Sequence, residues 1–265
     1  MCIRDRLRYA LLGVIQGLTE FLPVSSSGHL VLGERILGLD PPGVLLEVCL
    51  HIGTLAAVLW VFRSDLRELA RGLTRRETIE RRKEIGLIAA GTVPIAVAGL
   101  LFRSVADAAF SSLTIVGAGL LFTAAMLAAA DRLRRRATRR RLRFADSMVV
   151  GIAQALALVP GVSRSGATIA AGISGGIEPA RATRFSFLLS IPALIGAAIL
   201  SLWEVVSHGG WDGAWGGLVV GTIASFAVGL VGIYVLLAIV RRSRLWIFSI
   251  YCAAVGVCAL IFALI

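Results

Sequence analysis

Three runs, Val44–Phe62, Ile85–Phe102 and Leu113–Ala130, carry few or no charges. Each is close to the roughly 20 residues that cross a bilayer core of about 30 Å. Lipid offers the backbone no hydrogen-bond partners, so such runs must satisfy their own amides as helices. Composition agrees: 57% of the 265 residues are hydrophobic and 16% are charged, where a soluble domain has about a quarter charged. The chain is therefore read as all-α, a polytopic membrane protein in a single integral-membrane domain, residues 1–265. Apolar segments continue to the last residue, which argues against reading the N-terminus as a secretory signal.

The net charge of +11 would suggest a nucleic-acid partner in a soluble protein. Its location points elsewhere. Eight of the 27 basic residues lie between Arg63 and Lys83, and eight more between Arg132 and Arg143. Basic loops beside apolar spans mark the cytoplasmic side and suit an anionic leaflet. Neither run interleaves the aromatic residues on which bases stack, so no nucleic-acid partner is expected. Cys2, Cys49, Cys252 and Cys258 show no metal or disulfide spacing and read as small packing residues.

With both arginine-rich loops placed in the cytoplasm, Val44–Phe62 runs inward, Ile85–Phe102 outward and Leu113–Ala130 inward. Arg181 and Arg184 precede an outward Phe185–Leu202. "RRSR" at Arg241–Arg244 separates an inward Gly216–Val240 from an outward Trp246–Ile265. The outer loop between Leu202 and Trp215 has no Lys or Arg and carries Trp203, Trp211 and Trp215 as interfacial anchors. That makes six transmembrane helices. About Leu7–Gly38 and about Ser147–Ile177 are also apolar, yet each is broken by Pro, Gly and Ser, and neither can cross once without violating the charge assignment. They are read as two re-entrant helical hairpins entering from opposite faces. Arg4, Arg6 and Arg8 stand against the charge rule in this scheme.

A displacement of 138 positions lays one hairpin over the other without a gap. Gly13, Gln16 and Leu18 meet Gly151, Gln154 and Leu156; Val24, Ser25, Ser27 and Gly28 meet Val162, Ser163, Ser165 and Gly166. The chain thus reads as an inverted repeat, about 7–131 and about 145–265, with a site where the broken helices meet near the midplane.

The breaks hold unusual chemistry for hydrocarbon. "PGVSRSGAT" (Pro160–Thr168) begins a helix on a Ser/Gly turn, which presents backbone N–H groups to an anion. Ser163, Ser165 and Thr168 add hydroxyls, and Arg164 adds a planar cation suited to phosphate. "PVSSSGH" (Pro23–His29) has Ser25, Ser26 and Ser27, with His29 after them and Glu20 before. Gln16 shares a helical face with Glu20. Ionisable residues at membrane depth point to function. This inventory suits phosphoryl transfer, and the Glu20 carboxylate and Gln16 oxygens suit a hard divalent cation, Mg²⁺ or Ca²⁺. A substrate that reaches such a site should carry a lipid tail.

"QGLTEFLPVSSSGH" and "PGVSRSGAT" resemble the two signature motifs of the undecaprenyl pyrophosphate phosphatase family of the bacitracin-resistance type. "LEVCLHIGTLAAV" (Leu46–Val58) resembles that family's next segment, and the likeness spans essentially the whole chain. It implies removal of the terminal phosphate from a polyprenyl diphosphate on the outer face of the bacterial cytoplasmic membrane, recycling the carrier lipid of cell-wall synthesis, with a divalent cation required. Carried over by position, Glu20, His29 and Arg164 match essential residues. Ser25, Ser26, Ser163, Ser165 and Thr168 match hydroxyl-bearing ones. Gln16 stands where the family's first acidic position falls, so Glu20 carries more of the acid/base or metal role. Ser26 and His29 both remain as nucleophile, as does direct attack by water. Glu20, Ser26, His29 and Arg164 are thus the expected catalytic residues, with Gln16, Ser25, Ser27, Ser163, Ser165 and Thr168 binding substrate.

Other residues carry less. Glu47 and His51 lie one turn apart and either line the cavity or form a structural pair. Asp146 is expected to cap a helix, Asp131 to pair with a surface arginine, and His208 to sit in a solvated loop. The pairs Gly117/Gly119 and Gly229/Gly232 suit close helix packing or the face of a homodimer. The competing function is a transporter or flippase of a phosphorylated lipid, which the same architecture would serve.

Overall fold

A computed structural model describes residues 3–38, 44–74, 79–102, 109, 112–208, 215–242 and 244–264. Cys2, Gly209, Gly210, Trp211 and Ile265 lie outside these residues. Eleven α-helices are present among them: α1 Ile3–Phe21, α2 Ser26–Leu37, α3 Val44–Val61, α4 Arg63–Thr74, α5 Ile79–Leu101, α6 Leu113–Leu133, α7 Phe144–Leu156, α8 Arg164–Ser174, α9 Pro179–His208, α10 Trp215–Arg241 and α11 Trp246–Leu264. The protein is an all-helical, multi-pass membrane protein. Helices α5, α6, α9, α10 and α11 are each long and apolar enough to span, and α3 joins them only as a pair with α4, bent by 70°.

The two interrupted stretches form helix pairs, α1–α2 and α7–α8, as their Pro/Gly/Ser breaks predict. Arg4, Arg6 and Arg8 belong to the first turns of α1 rather than to a tail, and the Arg6 guanidinium lies beside Gly216. The first basic run is not a plain loop. Arg63–Thr74 is helical because Leu66 and Leu69 recur on one face and pack on the core while charges occupy the other. Asp65 and Glu84 pair with Arg184, and Glu84 also with Arg181, tying α4, α5 and α9 together.

Asp146 is not the N-cap residue of α7. It lies one turn inside, where its carboxylate accepts from the Arg143 N–H at 2.7 Å and from Arg139 at 2.5 and 2.7 Å. Asp131 pairs with Arg134 at 3.2 Å, as expected. His208 is the last residue of α9. Trp203 and Trp215 are exposed.

Small residues fix the helix directions. Gly13 and Gly17 of α1 meet Gly221 and then Ser225 and Gly229 of α10, so the two helices run parallel. Ser147 of α7 donates to the Leu87 carbonyl and Gly151 abuts Gly91, so α7 runs parallel to α5. Gly117 of α6 meets Leu260 of α11, and Ser249 of α11 donates to Ala124 at 2.8 Å, so this pair is antiparallel. Gly117, Gly119, Gly229 and Gly232 all abut atoms of the same chain, which occupies the surface considered for a homodimer.

A Cβ at Gly151 would lie 2.3 Å from the Gly91 carbonyl oxygen. Gly151→Val should therefore force α7 off α5 and cost at least about 1–3 kcal/mol. The check is a fall in thermal unfolding temperature in detergent, absent in Gly86→Val, where an added Cβ meets nothing within 4 Å.

Candidate active site

Each hairpin break is held by the same capping pattern. The Ser25 hydroxyl accepts from the Gly28 N–H at 3.3 Å and lies 3.2 Å from the Ser27 hydroxyl. The Ser163 hydroxyl accepts from the Gly166 N–H at 3.1 Å and lies 3.2 Å from the Ser165 hydroxyl. Serine at the N-cap explains both. Turning the chain takes different residues: Gly161 adopts φ 87°, whereas in the first break the positive φ of 70° falls on Ser25 itself, a conformation that costs about 1–3 kcal/mol and concentrates at functional sites.

Backbone freed at the breaks finds partners on α6 and α11. Thr123 donates to the Gly161 carbonyl at 3.1 Å and accepts from the Ser163 N–H at 2.9 Å. Cys252 donates to the Pro23 carbonyl at 3.4 Å. These partners leave the irregular backbone of both breaks satisfied within the protein.

The two tips touch. Ser165 donates to the Leu22 carbonyl at 3.0 Å. Arg164 then reaches Glu20 across 144 residues of chain, Nη2 to Oε1 at 2.6 Å. Ser26 donates to the other carboxylate oxygen at 2.6 Å, and the Gln16 amide donates to it at 3.1 Å. Glu20, Ser26, Ser27, Arg164, His51 and Gln154 line one cavity of about 320 Å³.

Several polar atoms here are buried without a partner: Nη1 of Arg164, Oε1 of Gln16 and both amide atoms of Gln154. Leaving such atoms unpaired costs about 1–3 kcal/mol each, so the site is built to receive polar atoms. Arg164 commits Nη2 to Glu20, while its Nη1 is buried without a partner.

The remaining expected site residues take other places. Thr168 bonds the Arg164 carbonyl at 2.8 Å and the Ser186 hydroxyl at 2.5 Å, within the protein. Ser25, Ser163 and Ser165 are buried in the caps. His29 is directed to α11: its Nδ1 bonds the Ser25 carbonyl at 2.8 Å, and its Nε2 meets the Tyr251 hydroxyl at 2.7 Å, with the rings stacked. With Nδ1 donating, neutral Nε2 accepts from Tyr251.

Two residues gain weight beyond the sequence reading. His51 places Nε2 3.9 Å from Glu20 while Nδ1 bonds the Glu47 carbonyl at 2.8 Å. Gln154 was visible only as the repeat partner of Gln16. Tyr251 gave no signal, being one aromatic in an apolar run.

Among the described residues no three His, Cys, Asp or Glu side chains cluster as a metal site. Glu20 and the free Gln16 oxygen are hard donors that fit a cation whose other ligands are phosphate oxygens or water, the usual arrangement for Mg²⁺.

Residues 9–258 match the family model described as bacitracin resistance protein BacA. The chain belongs to this family. Among its relatives, the "Undecaprenyl-diphosphatase" of Desulfatibacillum aliphaticivorans is 42% identical over 271 residues, covering 96% of this chain and 98% of that protein. The protein of the same name from Rubrobacter xylanophilus is 43% identical over 258 residues, covering 93% and 94%. The one from Korarchaeum cryptofilum is 42% identical over 266 residues, covering 94% and 96%. The match covers both helix pairs, whose tips supply the Glu20 and Arg164 sides of one cavity.

Proposed function

We propose that this protein is an undecaprenyl-diphosphatase, a hydrolase that removes the terminal phosphate of undecaprenyl diphosphate and returns undecaprenyl phosphate to cell-wall synthesis. One observation carries the reading: a serine hydroxyl, a carboxylate and a half-free guanidinium converge on one cavity at the meeting of two broken helices. Relatives at about 40% identity over nearly the whole chain bear that name.

The free edge of Arg164 and the N–H groups that begin α2 and α8 hold the diphosphate. Ser26 attacks the terminal phosphorus, and its proton passes to Glu20, which already accepts it as a hydrogen bond. The new Oγ–P bond forms as the anhydride P–O bond breaks, and undecaprenyl phosphate leaves with the electron pair. Glu20 releases its proton to water. In the second step Glu20 takes a proton from the attacking water and returns it to Ser26 as inorganic phosphate departs. His29 is held by Tyr251 outside the cavity lining, which favours Ser26 as nucleophile. A divalent cation, when bound, neutralises charge on the phosphates; Glu20 and Gln16 are the residues that would hold it.

The topology proposed is six crossings and two re-entrant hairpins in an inverted repeat, about 7–131 and about 145–265. Supporting it are the matching serine caps, the parallel packing of α1 on α10 and α7 on α5, and the antiparallel α6–α11 pair. The arginine-rich turns then face the cytoplasm, and the site opens to the outer side of the cytoplasmic membrane.

The test is phosphate release by purified protein in detergent, given undecaprenyl diphosphate with Mg²⁺ or Ca²⁺. Wild type should liberate inorganic phosphate, and Glu20→Ala or chelation should stop it. A lipid transporter would bind the substrate and release none.

A further inference from the structure

A second cavity, about 350 Å³, opens between α5 and α9. It shares Ile95, Gly99, Leu158, Ala193 and Ala197 with the active-site cavity, so the two are continuous. Its walls are apolar but for Thr92, and its far part is lined by Gly196, Ile199 and Leu200. A Cβ built on Gly99 or on Gly196 would meet no atom within 4 Å. These glycines therefore do not serve close helix packing, unlike Gly13 or Gly151; they leave a gap.

The other half of the chain shows what fills such a gap. The 138-residue displacement carries α3 onto α9 and α5 onto α10, so the α3–α10 pair corresponds to α9–α5. There Gly196 is replaced by Val58, fully buried, and Gly99 by Leu237, packed on the main core. The α3–α10 pair is closed, with Gly53 tight against the Thr222 carbonyl. One pair is sealed by side chains and its counterpart is left open beside the charged site.

We propose that the α5–α9 groove seats the prenyl tail of the substrate as it leaves the diphosphate site, with Gly99 and Gly196 setting the chain the groove admits. The inference rests on the phosphatase reading. An amphiphile whose headgroup lies against Arg164 must lead its tail out through an apolar wall. This groove is continuous with that cavity and presents hydrocarbon to hydrocarbon. The open glycines admit the branched methyls of an isoprenoid, and burial of each carbon in the groove adds to affinity.

Gly99→Phe and Gly196→Phe place a ring toward the groove from positions where an added Cβ meets nothing within 4 Å. Gly86→Phe, on α5 but lining neither cavity, is the control. The variants are compared on undecaprenyl diphosphate and on isopentenyl diphosphate, which bears the same headgroup on a short stub. For the long substrate, kcat/KM should fall about tenfold or more in both groove variants and stay within about twofold in the control. The short substrate should be unaffected in Gly196→Phe, because Gly196 lines only the groove and not the cavity around Arg164. Calorimetric binding of undecaprenyl diphosphate should weaken in the same order. Wild-type kinetics and binding in both folded groove variants, or an equal loss on both substrates in Gly196→Phe, would overturn the proposal and leave the groove to bilayer lipid. A wild type that binds the lipid but releases no phosphate sinks the phosphatase reading alone, since the binding comparison still decides the groove.

Discussion

Arg164→Ala is expected to lower kcat by on the order of 10³-fold, the scale seen when a preorganised donor to developing charge is removed. The side chain does two things at once. One edge fixes Glu20 Oε1 at 2.6 Å, and the other is buried and unpaired; in the proposed mechanism it binds a phosphate oxygen. Alanine also leaves the Glu20 carboxylate buried without its cation, a loss of about 3–5 kcal/mol in stability when a buried pair is broken. Arg164→Lys separates these effects. Lysine restores the charge and most of the unfolding temperature, but a single ammonium cannot serve both edges. Turnover of Arg164→Lys should stay about a hundredfold below wild type. Phosphate release and thermal unfolding, measured on both variants, check this; near-wild-type turnover in the lysine variant would remove the fork from the mechanism.

The second large effect falls on Ser26. Ser26→Ala should reduce kcat by at least about 10³-fold, as loss of a nucleophile does, whereas Ser27→Ala should cost about tenfold or less. The two serines are adjacent and both line the cavity, but only Ser26 donates to Glu20. Ser26 is also the first residue of α2, so a phosphate attached to it sits at a helix N-terminus, where the dipole favours negative charge. Rapid quench of wild type with labelled substrate should trap an acid-stable phosphoenzyme, absent in Ser26→Ala. An acid-labile label would move the nucleophile to His29, and no label would favour direct attack by water.

The spans and the two broken helices were legible because hydropathy and Pro/Gly breaks are local properties. The meeting of Glu20 with Arg164 was legible for a different reason: the repeat placed both at equivalent breaks, and the cost of isolated charge in lipid required that they pair. Other features depend on side-chain direction, which spacing does not carry. His29 belongs to the first motif, yet the backbone of Ser25 directs its ring toward Tyr251 on a helix 222 residues away. Thr168 follows Arg164 by one turn and turns into the protein toward Ser186. Helix α4 was hidden because its arginines outweigh Leu66 and Leu69 in any reading by charge. Asp146 was expected at the cap and instead acts one turn inside it, since Arg139 and the Arg143 amide both converge there.

The link between Glu20 and Arg164 also bears on how the protein is made. Translation proceeds at roughly 5–20 residues per second, so the 144 residues between them take about 7–30 seconds to emerge. Throughout that interval the first hairpin lacks the guanidinium that pairs with its carboxyl in the finished protein. The nascent chain must hold Glu20 without that partner until α8 has been made, so the contact between the two helix pairs is completed late in synthesis.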